Sequence, residues 1–236
     1  MSGEQEGRDL AMTDGEIHFL WWFIQGSIMT PETWHSLVRG YGFCERHAWV
    51  HLSVEMSFRR RHFLGPVILY RALIEKSVQA IDACRGRRSR LFLRQLQATG
   101  PCFLCALSIN HAARGAAPAS RLDRGRDSSG LRDFASSLAP LWHPIVCTSC
   151  AGTPSKVVVS PRCRSHLLAD LRSHKPVDLS WQHTTLEELS VRLAQYEASF
   201  VAGADEPNDQ DRAALIAAAG WCSGWRPLLT LLSPNA

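Results

Sequence analysis

The chain has 236 residues, 45% of them apolar and 20% charged, with a formal net charge of +4. This length allows one large domain or two small ones, and the composition excludes a disordered chain. The net charge is too small to make the whole molecule a polyanion binder, although its cations are unevenly placed.

Residues 1–15 are polar and acidic, with neither a basic n-region nor an apolar h-region, and read as a flexible N-terminus and not as a secretory signal. From Glu16 to Met29, Ile17, Leu20, Trp21, Ile24 and Ile28 recur at helical spacing and predict an amphipathic helix with an aromatic face. The longest apolar stretch, Phe19 to Ile24, is too short to span a bilayer, so no membrane partner is expected and the cytoplasm is the default location. Thr30 before Pro31 is an N-cap and first-turn proline opening a second helix that ends near Gly40. A third helix is expected to start near Cys44, after Gly40 and Gly42, with Arg59, Arg60 and Arg61 as a basic knot beyond it. Residues 66–84 repeat the helical pattern through Val67, Tyr70, Ile74, Val78 and Ile81.

Beyond them, Arg85, Arg87, Arg88, Arg90 and Arg94 form a run without an acidic residue. It reads as a solvated helix face, with nucleic-acid contact the lesser alternative. Residues 114–130, rich in Gly, Ser, Pro and charge, predict a mobile loop, and Lys156–Ser160 a short extended piece. Leu186, Leu189, Leu193, Tyr196 and Phe200 form a stripe on a helix that Thr184 or Thr185 can cap. Residues 203–209 make a turn, Asp209–Gly220 another helix, and Trp225–Leu232 closes the chain.

Four elements carry chemistry: Cys44-Glu-Arg-His47, Cys102-Phe-Leu-Cys105, Cys147-Thr-Ser-Cys150 and Cys163-Arg-Ser-His166. Each sets two ligands three positions apart, and in the first turn of a helix both reach a common point. A tetrahedral zinc ion needs two such pairs, so eight ligands make two closed sites. In the reducing cytoplasm, eight cysteines point to metal or redox chemistry and away from disulfides.

Short-loop closure pairs Cys147 and Cys150 with Cys163 and His166, leaving Cys44 and His47 to Cys102 and Cys105. A second pairing joins Cys102 and Cys105 to Cys163 and His166, and Cys44 and His47 to Cys147 and Cys150. Both give sites of three cysteines and one histidine. The third pairing joins the two Cys-x-x-His units and leaves an all-cysteine site. Three thiolates and a neutral imidazole leave a zinc complex negative. Arg46, Arg162 and Arg164, within or beside the ligand units, are placed to offset that charge by hydrogen bonds to sulfur.

Cys84 and Cys222 read as small buried apolar residues, His18 as a packed or surface histidine, and Trp21, Trp22 and Trp34 as core. His111, His143, His174 and His183 carry no assignment. No nucleophile elbow, H-E-x-x-H helix, phosphate loop or dinucleotide fingerprint is present, and neither Cys-x-x-Cys follows the H-x-E of zinc deaminases.

The run FLWWFIQGSIMTPETWHSLVRGYGFCERHAW, followed by GPVILYRALIEKSVQAI, resembles a bacterial family of unassigned activity with repeated Cys-Pro-x-Cys and Gly-Phe-Cys-x-x-His elements. PCFLC and SPRCRSHLL look like a second copy of that pair, and EELSVRLAQYEASF is similar to the family's C-terminal helix. The likeness spans roughly residues 16–220 and implies a metal-binding helical fold. The family's first Cys-x-x-Cys, expected upstream of Phe19, is absent; the region reads TDGEIH. Cys147 and Cys150 appear as an extra pair. The resemblance therefore implies that this pair completes the site of Cys44 and His47, against the loop-closure argument.

The expectation is a mostly α, bundle-like protein with two Cys/His metal sites at helix N-termini, a pseudo-repeat of two halves. Residues 16–98 form the first half, 99–180 the second, and 181–236 the C-terminal helices packing on the core. The function expected is that of a zinc-binding structural or regulatory protein with a protein or small-molecule partner. The alternatives are a metal-dependent enzyme of a biosynthetic pathway, with Trp21, Trp22 and Trp34 lining its pocket, or an iron–sulfur or redox protein.

Overall fold

A computed structural model describes residues 10–59, 62–83, 90–107, 109, 117–153 and 160–233. Among these residues every regular element is a helix and none is a strand, as the periodicity predicts. In chain order they are α1 (Asp14–Phe23), a 3-10 turn (Ser27–Met29), α2 (Pro31–Gly40), α3 (Glu45–Arg59), α4 (Leu64–Asp82), α5 (Arg90–Leu96) and α6 (Phe103–Ala106). There follow α7 (Ala119–Arg126), α8 (Ser129–Ser137), α9 (Ala139–Trp142), a 3-10 turn (His143–Ile145), α10 (Arg164–Arg172), α11 (Leu179–Ala198), α12 (Asp209–Ser223) and α13 (Arg226–Leu231). Cys84, His111, Arg60, Arg61, Arg85, Arg87 and Arg88, and all but Ser160 of the expected extended piece, lie outside the described residues.

The helix ends differ from the sequence-based expectation where local hydrogen bonds decide them. Thr13 Oγ1 accepts from the Glu16 amide at 3.2 Å, and the Glu16 carboxylate accepts from the Thr13 amide at 2.9 Å. This reciprocal cap starts α1 inside the stretch expected to be flexible. The helix stops at Phe23, short of Met29, because Gly26 takes φ +135°, which no helix tolerates. At the end of α2, Tyr41 (φ 58°) and Gly42 (φ 80°) turn both their amides back to the Leu37 carbonyl. That turn aims Cys44 at the start of α3. A side chain at Gly42 would also press on Leu73, 3.1 Å from the position its Cβ would take.

The expected loop over 114–130, of which 114–116 lie outside the described residues, is corrected from 119 onward. Residues 119–126 form α7, and α8 starts at Ser129. Composition misleads here because α7 is mostly exposed. It buries only Leu122 and Gly125, against Ile17 of α1, and at Gly125 even a methyl group would lie 2.2 Å from the Ile17 side chain. Its helicity therefore rests on a close tertiary approach that no local pattern announces. Likewise α11 is capped by Asp178, which accepts from the Trp181 amide at 3.0 Å, and not by Thr184 or Thr185. Its stripe of Leu186, Leu189, Leu193 and Tyr196 is buried against α4 and α12. Asn208 caps α12, whose Ala213, Ala214, Ala217, Ala218 and Gly220 allow neighbouring helices to approach closely.

One continuous apolar cluster runs from Leu20 to Leu231. Its large side chains include Trp49, Trp142, Trp221 and Trp225, with Trp142 and Trp225 stacked at 5.6 Å. Three of their indoles donate inward, Trp49 to the Gly224 carbonyl, Trp142 to the Ala135 carbonyl and Trp221 to Gln182. The expected core tryptophans are not among them. Trp22 is 56% exposed, and Trp21 and Trp34 are only half-buried. The inner face of α1 is taken by Ile17, Leu20 and Phe23, and at 100° per residue Trp21 and Trp22 fall away from it. Arg121 covers Trp21 instead, 3.7 Å above its ring. Cys222 is fully buried, as expected. No helix among the described residues is long and apolar enough to cross a membrane.

Candidate metal centres

All four ligand pairs converge, in two groups. Cys44, His47, Cys102 and Cys105 form the first, and Cys147, Cys150, Cys163 and His166 the second, with the ligand atoms of each within 4.8 Å of one another. This is the pairing that loop closure favours. The pairing implied by the family resemblance, Cys147 and Cys150 with Cys44 and His47, is overturned. The extra pair sits beside its sequence neighbour α10 and does not stand in for a missing N-terminal pair.

Local structure sets each pair. Cys44 directly precedes α3, Cys102 caps α6 and Cys163 caps α10, so three pairs open helices as expected, where amides and dipole favour a thiolate. Cys147 and Cys150 lie instead in a tight turn. The amides of Cys150 and Ala151 both donate to the Cys147 carbonyl at 3.0 Å, and the Thr148 amide ties the turn to Pro161. The first group joins ligands from residues 16–98 to ligands from 99–180, whereas the second lies wholly within 99–180.

The distances suit one ion per group. A tetrahedron with Zn–S near 2.3 Å and Zn–N near 2.0 Å has S···S edges of about 3.8 Å and S···N edges of about 3.5 Å. In the first group Cys44 and Cys105 Sγ are 3.9 Å apart, and the three sulfurs lie 3.3, 3.3 and 3.5 Å from His47 Nδ1. In the second, Cys150 and Cys163 Sγ are 3.8 Å apart, with the sulfurs 3.1 to 3.4 Å from His166 Nδ1. A disulfide would need sulfurs near 2.05 Å, and every described cysteine is a free thiol.

Electrostatics point the same way. Hydrogen bonds from Cys44, and then from His47, lower Cys102 to about 3 against its burial, while crowding by Cys102 drives Cys44 up. In the second group Cys150 and Cys163 lower Cys147, Cys147 and Cys150 raise Cys163, and contacts with Cys147 and Cys150 lift His166 to about 10. Three sulfurs this close cannot all ionise by themselves; a divalent cation would supply the charge that allows it.

The first group has a support that the pattern of cysteines did not reveal. His47 Nε2 donates to Glu16 Oε1 at 2.8 Å, which leaves Nδ1 as the ligand atom facing the sulfurs. Arg46 donates to both Glu16 oxygens and to the Ala11 carbonyl. Burial would raise the Glu16 carboxyl, but hydrogen bonds from Arg46 and His47 outweigh it and hold the group far below the usual carboxylate range. Only the Thr-x-x-Glu cap of α1 marks Glu16 in the sequence, and its reach to His47, 31 positions on, has no local signal.

Comparison with protein-family models, with curated proteins and with solved structures gives no match.

The arginines expected to donate to sulfur face oxygen. Arg46 serves Glu16, Arg162 donates to Asp170 and Thr148, and Arg164 donates to the Cys222 and Leu96 carbonyls while lying over the Tyr41 ring. Guanidinium donors prefer the harder oxygen acceptors, and the charge still acts on the thiols through space. Of the unassigned histidines, His143, His174 and His183 join neither group, nor does His18, read as a packed or surface histidine. A cleft of about 360 Å³ separates the groups, lined by Cys44 and Cys102 of one, Cys150, Cys163 and His166 of the other, and Arg226.

Proposed function

We propose that this is a zinc protein in which two structural ions, each held by three thiolates and one imidazole Nδ1, fix the helix starts around them. The observation carrying this reading is that eight ligand atoms fall into two groups with the edge lengths of a zinc tetrahedron. Four protein ligands per ion close the shell, and catalytic zinc keeps a position open. The spacing also favours one ion over an iron–sulfur cluster, whose protein ligands are divided among two or more irons and so are spread apart. A cytoplasmic location is part of the proposal, supported by the free thiols.

The test is elemental analysis with a visible spectrum on anaerobically purified protein, followed by chelation. The expected result is two zinc ions per chain, a colourless protein, and a large loss of helicity when both ions are removed. Iron with visible absorption would overturn the choice of metal. An unchanged melting curve after chelation would overturn the structural role.

A second reading, a metal-dependent enzyme, is favoured by the cleft that both groups border. It requires one thiolate to yield its place to substrate, so it predicts that one of the two ions exchanges rapidly with added cadmium while the other does not.

A further inference from the structure

The face of α3 that carries His47 continues through His51 and Glu55, one turn and two turns on. Both side chains are buried, His51 with 1% and Glu55 with 5% of its side chain exposed. Neither ring nitrogen of His51 nor Glu55 Oε2 has a hydrogen-bond partner among the described residues. The closest approach between them, His51 Nε2 to Glu55 Oε2, is 3.7 Å, beyond a hydrogen bond. The imidazole is wedged edge-on against Phe23 at 5.7 Å and tilted against Phe43 at 4.9 Å, so it is held in place by aromatic packing.

Orphaned polar groups of this kind cost stability unless something meets them. Both line a cavity of about 130 Å³, whose other walls include Ile24, Ile28, Leu64 and Ile68, with Met29 and Arg59 among the residues at its exposed side. That volume is close to what holds a single aromatic ring in an apolar protein interior. One oxygen seated across the gap would reach both His51 and Glu55 at about 2.8 Å.

We propose that this cavity is a binding site for a small, ring-sized, largely apolar molecule with one neutral hydroxyl-type head, the head bonded by His51 and Glu55 and the body packed on the isoleucines. A charged head is disfavoured because the cations of the lining, Arg59 and His62, are exposed at its mouth, with Arg59 donating to the Ile24 carbonyl, while Ile24, Ile28, Leu64 and Ile68 are apolar and the His51–Glu55 pair is neutral near pH 7. Burial lowers His51 to about 3 and raises Glu55 to about 8, though Arg59 pulls Glu55 back. The site is distinct from both candidate metal centres and goes beyond the structural reading of them.

The experiment uses the full chain with its bound metal and phenol as the probe, followed by NMR of the His51 ring. Toluene serves as the analogue without the hydroxyl. Phenol should shift the His51 resonances saturably, with toluene at least about tenfold weaker. Glu55→Leu should cost phenol about tenfold or more, while Glu55→Gln, which still offers a neutral donor and acceptor, should stay within about threefold. If the leucine variant fails to fold, the phenol-to-toluene ratio and the glutamine variant still decide. Equal binding of phenol and toluene, no shift with phenol, or His51 shifts produced instead by a third equivalent of zinc would each overturn the proposal.

Discussion

Glu16 does two jobs with one carboxylate: it closes the cap that starts α1 and it accepts from His47 Nε2. The second job selects the tautomer that leaves Nδ1 for the cation, a support whose loss from a metal-ligating histidine costs about 10- to 100-fold in affinity. Glu16→Leu, which leaves His47 Nε2 no acceptor there, should therefore weaken the first proposed ion by about that factor in chelator competition and leave the second untouched. Equal weakening of both ions would mean that Glu16 acts through the fold and not through His47. Glu55 yields a pH prediction. Its carboxyl is raised to about 8 by burial, so the stability that it contributes is full below the unfolded value of 4.5 and is lost as pH rises toward 8. His51, lowered to about 3, works in the opposite sense: its contribution is full above 6.5 and lost as pH falls. Replacing Glu55 with leucine removes only the first dependence. Its stability advantage over the parent should thus grow by roughly 2–4 kcal/mol between pH 5 and pH 8 in urea unfolding. An advantage that is flat with pH would place an ionised carboxylate in the folded protein.

Among the elements, the four ligand pairs were legible from spacing alone, and so were α2, α4 and the inner face of α11. Their signals are local: a proline at N1, a 3/4 stripe, two ligands three apart. What stayed hidden depends on distant partners. The helix α7 exists because Gly125 admits Ile17 across more than a hundred residues of chain, and the buried tryptophans Trp49 of α3, Trp142 of α9 and Trp225 just before α13 are brought together only by the fold. The choice among pairings was hidden for a different reason, since a likeness of motifs outweighed loop entropy. Metal counting in variants checks the grouping directly. Cys147→Ser and Cys163→Ser should each remove the same ion, and Cys44→Ser and Cys105→Ser the other; loss of one shared ion in Cys44→Ser and Cys147→Ser would restore the long-range pairing.

Across the whole molecule the two groups differ in the length of chain that they close. Ligands of the second lie 13 to 19 positions apart in contacts between its pairs, and those of the first 55 to 61. Closing the longer loop costs about 1 kcal/mol more in chain entropy, a modest difference in equilibrium but a large one in timing. Once the ribosome has released residue 166, the second cluster can assemble from a segment only twenty residues long. The first must gather the turn after α2, the short helix at Phe103 and the carboxylate of α1, so it forms only after much of the N-terminal half has settled. A nascent chain would thus acquire its late-encoded clasp as a self-contained bead, while its early-encoded thiols wait, exposed to stray copper or oxidant, for the helices that bring them home.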